Sequence, residues 1–354
     1  MISIRSFQLA NKWIGPEQPV YIVAELSANH RNSFDHACKL IEAAHAAGAD
    51  AVKLQTYTPD TITLRSDQDL FRVGAGTIWS GRTLYDLYSE AYMPWDWQPK
   101  LKQIANGLGL ALFSTPFDNT AVDFLETMGV PAYKIASFEL IDIPLIRRVA
   151  ATGKPVILST GMATLAEIEE AVHAIRQVQS ENTAIALLKC TSAYPASPDD
   201  MNLRTIPDLL LRFGVPVGLS DHTLAGAVPA VAVTLGACII EKHLTLSRAD
   251  GGPDAPFSLE ADEFRGLVRS VRIAERALGR ALYECSEAEM SSRKFRRSLF
   301  ITEDLPAGTT LQEEHVRSLR PAAGLAPKYR EAVLGRRLKV DVKRGTPLEW
   351  ELLQ

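Results

Sequence analysis

The sequence predicts a (β/α)8 barrel followed by a small β-rich domain, on three observations. Short apolar, β-rich runs recur eight times, at 20–24, 51–54, 110–114, 132–136, 156–159, 184–188, 215–219 and 238–241. Amphipathic stretches of helical period, among them 36–47, 165–178 and 261–278, lie between them. The alternation fills roughly 260 residues, the size of a TIM barrel. A doubly wound open sheet would also alternate, but a Gly-rich phosphate turn would then follow its first strand, and none follows 20–24.

Taken in order, nearly every run closes on polar or ionisable residues. The first ends at Glu25 and the second at Lys53 and Gln55. Thr115, then Lys134 with Glu139, then Ser159 with Thr160 follow. Thr191 with Tyr194, Ser220 with His222, and Glu241 with His243 complete the series. In a barrel the C-terminal strand ends carry the chemistry, so this repetition predicts one mouth lined for function. The insertion at 65–94 is longer than an ordinary βα loop and holds Trp79, Tyr85, Tyr88 and Tyr92. It reads as a lid, an interface element or a packing excursion with a short helix. His30 reads as a loop or substrate residue, while His36, His45 and His173 fall in helical patterns.

The expected division is a barrel over 1–285, a linker over 286–297 and a β-rich module over 298–354. The linker contains the basic cluster Arg293, Lys294, Arg296 and Arg297. In the module, turns are expected at 306–308 and 344–345, and the echo of Leu-Pro-Ala-Gly by Val-Lys-Arg-Gly predicts a pseudo-symmetric small β-fold.

Composition narrows the function classes. A formal net charge of −4 over 354 residues gives no global basic field for nucleic acid. No apolar run approaches the ~20 residues that span a bilayer. Cys38, Cys190, Cys238 and Cys285 are scattered and form no CxxC pair, which predicts free thiols in a reduced, cytoplasmic protein.

Strand periodicity turns this list of strand-end residues into expected clusters. Residues two apart share a side, so Ser220 pairs with His222 and Glu241 with His243. Adjacent strands lie about 4.8 Å apart, so His222 and His243 can converge on one cation, with Asp254 in the following Gly-Gly-Pro-Asp turn able to bring a carboxylate near. Such a donor set suits Mn2+, and less distinctively Mg2+, Co2+ or Zn2+. Lys53 and Lys134 end strands in apolar surroundings, where an unpaired ammonium is costly. With the hydroxyls of Thr115, Ser159 and Ser220 they form a phosphate cradle. Imine chemistry and a salt bridge to a barrel glutamate remain open for either lysine.

The segments YIVAELSANH, AGADAVKLQTYTPDTIT, FSTPFD, PAYKIASFEL, GKPVILSTGMAT, LLKCTSAYP, GLSDHT and IEKHLT with GGPDAPFSL run in order through 21–259. Together they resemble the sialic acid synthase family. The tail RRSLFITEDLPAGTTL with SLRPAAGLAP resembles that family's antifreeze-like (SAF) domain. Two details, the Leu-Ser-Ala-Asn-His run after Glu25 and Phe138 before Glu139, resemble the branch that makes pseudaminic acid. The resemblance implies a metal-dependent transferase, condensing phosphoenolpyruvate with 2,4-diacetamido-2,4,6-trideoxy-L-altrose. It implies phosphoenolpyruvate binding by Lys53, Thr115, Lys134, Ser159 and Ser220, and metal binding by His222 and His243. Catalysis falls to Glu25, Glu139, His222 and His243, and sugar contacts to Gln55, Tyr194, Asp254 and Arg320. Arg320 matches an arginine that one subunit inserts into its partner's barrel, implying a domain-swapped homodimer. An N-acetylneuraminate or legionaminate synthase, a Schiff-base aldolase or lyase, and a non-catalytic carbohydrate-binding protein are the rival readings.

Overall fold

Eight parallel strands close into a barrel. They are β3 (Tyr21–Glu25), β4 (Ala51–Thr56), β5 (Ala111–Pro116), β6 (Tyr133–Ile135), β7 (Val156–Ser159), β8 (Ile185–Cys190), β9 (Val217–Asp221) and β10 (Ile239–Thr245). Each pairs with the next, and β10 closes the ring on β3 with Ile240 opposite Ile22 and His243 opposite Glu25. The computed structural model describes residues 4–179 and 184–354. The chain divides into two units, Met1–Gly279 and Arg280–Gln354.

Helices follow the barrel strands because local caps and periodic apolar faces agree. Helix α1 (Phe34–Ala47) starts where the Ser33 hydroxyl accepts the His36 N–H, and it stops at Gly48, whose φ of 91° a side chain would disfavour. Its buried face is Ala37, Leu40, Ile41, Ala44 and Ala47, a helical period laid on the barrel. Asp118 and Asp142 cap α5 (Asn119–Met128) and α6 (Ile143–Ala150) in the same way. The remaining described helices of this unit are α2 (Pro59–Ile62), α3 (Leu84–Ala91), α4 (Gln98–Gly107), α7 (Leu165–Gln179), α8 (Thr205–Phe213), α9 (Ala227–Thr234) and α10 (Ala261–Leu278), and a two-residue strand, β11 (Leu259–Glu260), pairs with the end of β10.

Two hydrophobic layers result. Outward residues such as Ile22, Val52, Leu54, Leu112, Leu158 and Ile240 pack against the helices. Inward residues Val23, Ala51, Phe113, Ala132, Ile157, Leu188 and Ile239 fill the lower barrel. Hairpin β1 (Phe7–Leu9) with β2 (Lys12–Ile14) adds Phe7, Leu9 and Ile14 to this inner layer. Two residues further along each strand the inward positions turn polar: Glu25, Lys53, Thr115, Lys134, Ser159 and Glu241, all buried. The apolar lower layer is the foundation on which the polar ring stands.

Several strands run past the ends read from sequence. The run at 238–241 continues through His243 to Thr245, and 51–54 continues to Thr56. Both faces of a parallel barrel strand are covered, so the hydrogen-bond ladder persists where hydrophobicity stops.

In the second unit, the stretch expected as a linker holds a helix, α11 (Glu287–Arg293), because Ser286 and Glu289 form a reciprocal capping box. Strands β12 (Ser298–Ile301) and β13 (Val316–Leu319) pair antiparallel over a core of Leu299, Ile301, Leu311, Val316, Leu338 and Leu348. The two echoed motifs meet: Leu305 and Val342 exchange both backbone hydrogen bonds at 2.9 Å. Gly308 and Gly345, three residues after each, turn the chain at φ of 80° and 86°.

Candidate active site

Glu241 is the hub of the polar ring. It is buried on β10, and its Oε1 receives the Lys53 ammonium at 2.9 Å and the Ser220 hydroxyl at 2.9 Å, with Lys134 Nζ at 3.9 Å. Lys53 also pairs with Glu25 Oε2 at 2.8 Å. Lys134 donates to the Ser159 hydroxyl at 2.6 Å and to the Ile135 carbonyl at 3.1 Å. Burial pushes Glu241 upward, but the two lysines and the Ser220 hydroxyl outweigh it and hold its pKa down at about 2. Burial also lowers Lys53, to about 8, against the pull of Glu241. Both lysines therefore face the barrel glutamate that the sequence reading left as one alternative, and they do so inside the predicted cradle. The Thr115 hydroxyl, buried beside them on β5, has no hydrogen-bond partner.

The two imidazoles meet on the neighbouring strand ends. The ring centroids of His222 and His243 are 5.3 Å apart. Two imidazoles on one cation, with metal–nitrogen bonds near 2.1 Å, put their centroids about 5 Å apart. His222 Nδ1 lies 3.1 Å from the Thr191 carbonyl. Donation there leaves Nε2 with its lone pair, the tautomer a ligand needs. The Nδ1 of His243 is buried without a partner. Burial, then the charges of His222, Lys53 and Lys242, hold His243 neutral. His222 moves the other way: burial opposes its charged form, but Cys190 and the Thr191 carbonyl outweigh it. A ring held neutral with one nitrogen orphaned, beside a second ring whose Nδ1 is turned to a carbonyl, fits a divalent cation. Among the described residues no three His, Cys, Asp or Glu side chains gather as a complete protein-ligand set. Asp254 does not complete such a set. Its Oδ2 takes the Ser27 hydroxyl and the Ala28 N–H instead, because the turn at 251–254 folds onto the loop after β3.

That loop links the remaining residues. Glu25 Oε1 accepts the Ser27 N–H at 3.0 Å and the Gln55 amide at 3.3 Å, and Gln55 also reaches the Ser27 hydroxyl at 3.0 Å. Glu139 sits in the short helical turn after β6. Its Oε2 is buried without a hydrogen bond, and burial raises its pKa to about 7 despite Lys134 and Lys53. The turn is tied to the next loop by the Gly161 N–H, which donates to the Ser137 hydroxyl at 3.1 Å. A Cβ on Gly161 would lie 2.8 Å from that same hydroxyl and closer still to Ser192. The Tyr194 ring lies 4.5 Å from His222, tilted by 51°, and Phe257 lies 4.9 Å from His243.

Some sequence-read residues fall elsewhere. His30 is buried, 3.2 Å from the Ala91 carbonyl, and accepts the Asn32 N–H, so it holds loops together. Thr160 hydrogen-bonds the Leu188 carbonyl in the barrel wall. Arg320 is exposed in the second unit, next to β13. Sequence reasoning missed Glu241 as the hub, Ser27 as a link between Gln55 and Asp254, and Phe257. The alternation that pairs Glu241 with His243 carried the signal for the first.

Comparisons with known proteins agree with this geometry. The chain matches the model of the NeuB family over residues 40–283 and that of the SAF domain over residues 296–354. It is 43% identical over 333 residues to the pseudaminic acid synthase of Campylobacter jejuni, covering 94% of this chain and 96% of that one. It is 36% identical over 343 residues to the N,N'-diacetyllegionaminic acid synthase of Legionella pneumophila, covering 96% of each. Among solved structures, the N-acetylneuraminic acid synthetase of Leptospira borgpetersenii superposes with a TM-score of 0.72 at 32% identity, covering 81% of this chain and 95% of that one.

Proposed function

Because the chain belongs to the NeuB family and carries a SAF domain, we propose that it condenses phosphoenolpyruvate with 2,4-diacetamido-2,4,6-trideoxy-L-altrose to give pseudaminic acid and phosphate. The observation that carries the reading is the joint placement of two imidazoles and two ammonium groups at one end of the barrel, with Glu241 joining the two ammonium groups. The higher identity to a pseudaminic acid synthase than to a legionaminic acid synthase supports the choice of sugar.

The residues divide the work. Lys53, Lys134, Ser159, Ser220 and the free hydroxyl of Thr115 hold the phosphate and stabilise its charge as it departs. Phosphate binding draws the two ammonium groups from Glu241, so the glutamate keeps them in place between turnovers. His222 and His243 would hold a divalent cation, Mn2+ foremost, which supplies Lewis-acid polarisation of the sugar aldehyde. As the C2–C3 double bond of phosphoenolpyruvate opens, C3 bonds to the aldehyde carbon, the aldehyde oxygen takes up a proton to become a hydroxyl, and water adds at C2. Glu139 takes the proton of that water, for which a carboxylate poised near neutral pH is suited. The C2–O bond to phosphate then breaks, leaving a 2-keto acid. Glu25, Gln55, Tyr194 and Asp254 orient the open-chain sugar. Arg320 reaches the site from a partner subunit in a domain-swapped homodimer. Four unpaired thiols support a reducing, cytoplasmic setting.

The test is phosphate release from phosphoenolpyruvate with a panel of acetamido sugars in 18O-labelled water. The altrose derivative should be preferred by about 10-fold or more over the legionaminate and neuraminate precursors, with no solvent label in phosphate. Preference for another sugar would reassign the substrate, and label in phosphate would overturn C–O cleavage.

A further inference from the structure

The 65–94 insertion has no part in the scheme above, yet one of its side chains reaches the aromatic rim of the site. Trp79 lies 5.7 Å from the Tyr194 ring and 6.3 Å, edge to face, from Phe257. Those rings are the neighbours of His222 and His243, so an unbroken line of rings leads from the imidazole pair to Trp79. The indole N–H donates to the Pro253 carbonyl at 2.8 Å, the residue before Asp254. Trp79 and Tyr194 are half-buried, whereas Phe257, His222 and His243 are buried. Trp79 is thus the outermost member of the line.

The insertion that carries it is anchored to the barrel. Asn32 donates to the Glu90 carbonyl at 3.2 Å, and His30 lies 3.2 Å from that of Ala91. The Tyr85 hydroxyl donates to Asp60 at 3.1 Å, and Tyr88 packs edge-on at 5.7 Å against Tyr57. Contacts this numerous hold an element in place and do not leave it as a loose excursion.

The geometry points to Trp79 as a substrate-contacting residue that reads the apolar surface of the sugar, its acetamido methyl or C–H face; this rests on the condensation reading above. The indole has one polar hydrogen, and Pro253 consumes it. What remains exposed is the apolar ring, so recognition through Trp79 is by contact, as binding pockets lined with aromatic side chains provide. Phosphoenolpyruvate, small and triply anionic, belongs at the lysines and gains nothing from such a face. The insertion is therefore a wall of the sugar pocket, and the bond to Pro253 couples it to the turn carrying Asp254.

Steady-state kinetics of Trp79→Ala and Trp79→Phe test this. Trp79→Ala should raise KM for 2,4-diacetamido-2,4,6-trideoxy-L-altrose by roughly 10-fold or more, with KM for phosphoenolpyruvate within about 2-fold. Trp79→Phe keeps an aromatic face and should fall between Trp79→Ala and the parent chain. Titrating the sugar into the parent chain should change tryptophan emission, and the change should vanish in Trp79→Phe. Equal increases in both KM values, an unchanged sugar KM with a lowered Tm, or an emission change that survives in Trp79→Phe would each overturn the proposal and leave the insertion as packing. Inactivity of the parent chain on every sugar tried would count against the condensation itself, and the emission titration would still decide the role of Trp79.

Discussion

Lys242 offers the sharpest test of how the two histidines are held. It lies between Glu241 and His243 on β10 but points the opposite way, and its ammonium is buried against Asp221 Oδ2 at 2.8 Å and the Thr223 carbonyl. Asp221, also buried, returns its other oxygen to the Thr223 N–H at 2.9 Å. One lysine thus grips the residues on both sides of His222 while being the direct neighbour of His243. In Lys242→Met the Asp221 carboxylate would be left buried and unpaired, which costs about 3–5 kcal/mol. An unfolding entropy of ~2.1 cal/mol/K per residue, applied to the 279-residue barrel unit, converts that loss into a Tm drop of roughly 5–9 °C. Pairing it with Asp221→Asn should recover about half, because no net charge then stays buried. Loosening the grip should also weaken Mn2+ binding by about 10–100-fold, the usual effect of losing an outer support of metal ligands. Calorimetry measures both quantities, with His222→Ala expected to lose the cation and keep the fold. A Tm drop under about 2 °C, or unchanged Mn2+ affinity in the destabilised variant, would refute the reasoning.

Two further outcomes follow from the site. Glu139 has its pKa raised to about 7 chiefly by burial, and a base works in its ionised form. The kcat/KM for sugar should therefore rise with pH through about 7, and Glu139→Gln should lose that limb and about 10²–10⁴ in rate; a limb that persists in Glu139→Gln assigns it to another group. Arg320→Ala should weaken sugar use more than phosphoenolpyruvate use. Mixing it with His222→Ala protomers should restore activity through dimers holding one intact site, and no restoration would place Arg320 outside the partner's site.

The legible parts of this molecule are those set by local order. Leu165 to Leu278 shows helical period twice, and helices α7 and α10 begin at 165 and 261 as read. His222 and His243 could be paired from sequence because alternation along a strand and the spacing between strands are fixed by backbone geometry. The helix at Glu287–Arg293 is signalled by the Ser286 cap, a short-range hydrogen-bond signal that the basic cluster at 293–297 does not reveal. The turn after β10 brings Asp254 close enough for His222 to act on its carboxylate, as proximity in sequence predicts; its hydrogen-bond partners, Ser27 and Ala28, lie more than 220 positions away and have no local signal.

By itself the sequence determined the barrel, the strand ends that form its mouth and the chemical types gathered there, since period, run length and residue identity are local properties. Only the tertiary structure decided who meets whom. Lys53 and Lys134 converge on Glu241, Lys242 spans both sides of His222, and Trp79 arrives at the rim from a loop. The meeting of Lys53 and Lys134 with Glu241 depends on ring closure, which brings β3 beside β10 across more than 200 residues, and no local pattern encodes a contact made by closure.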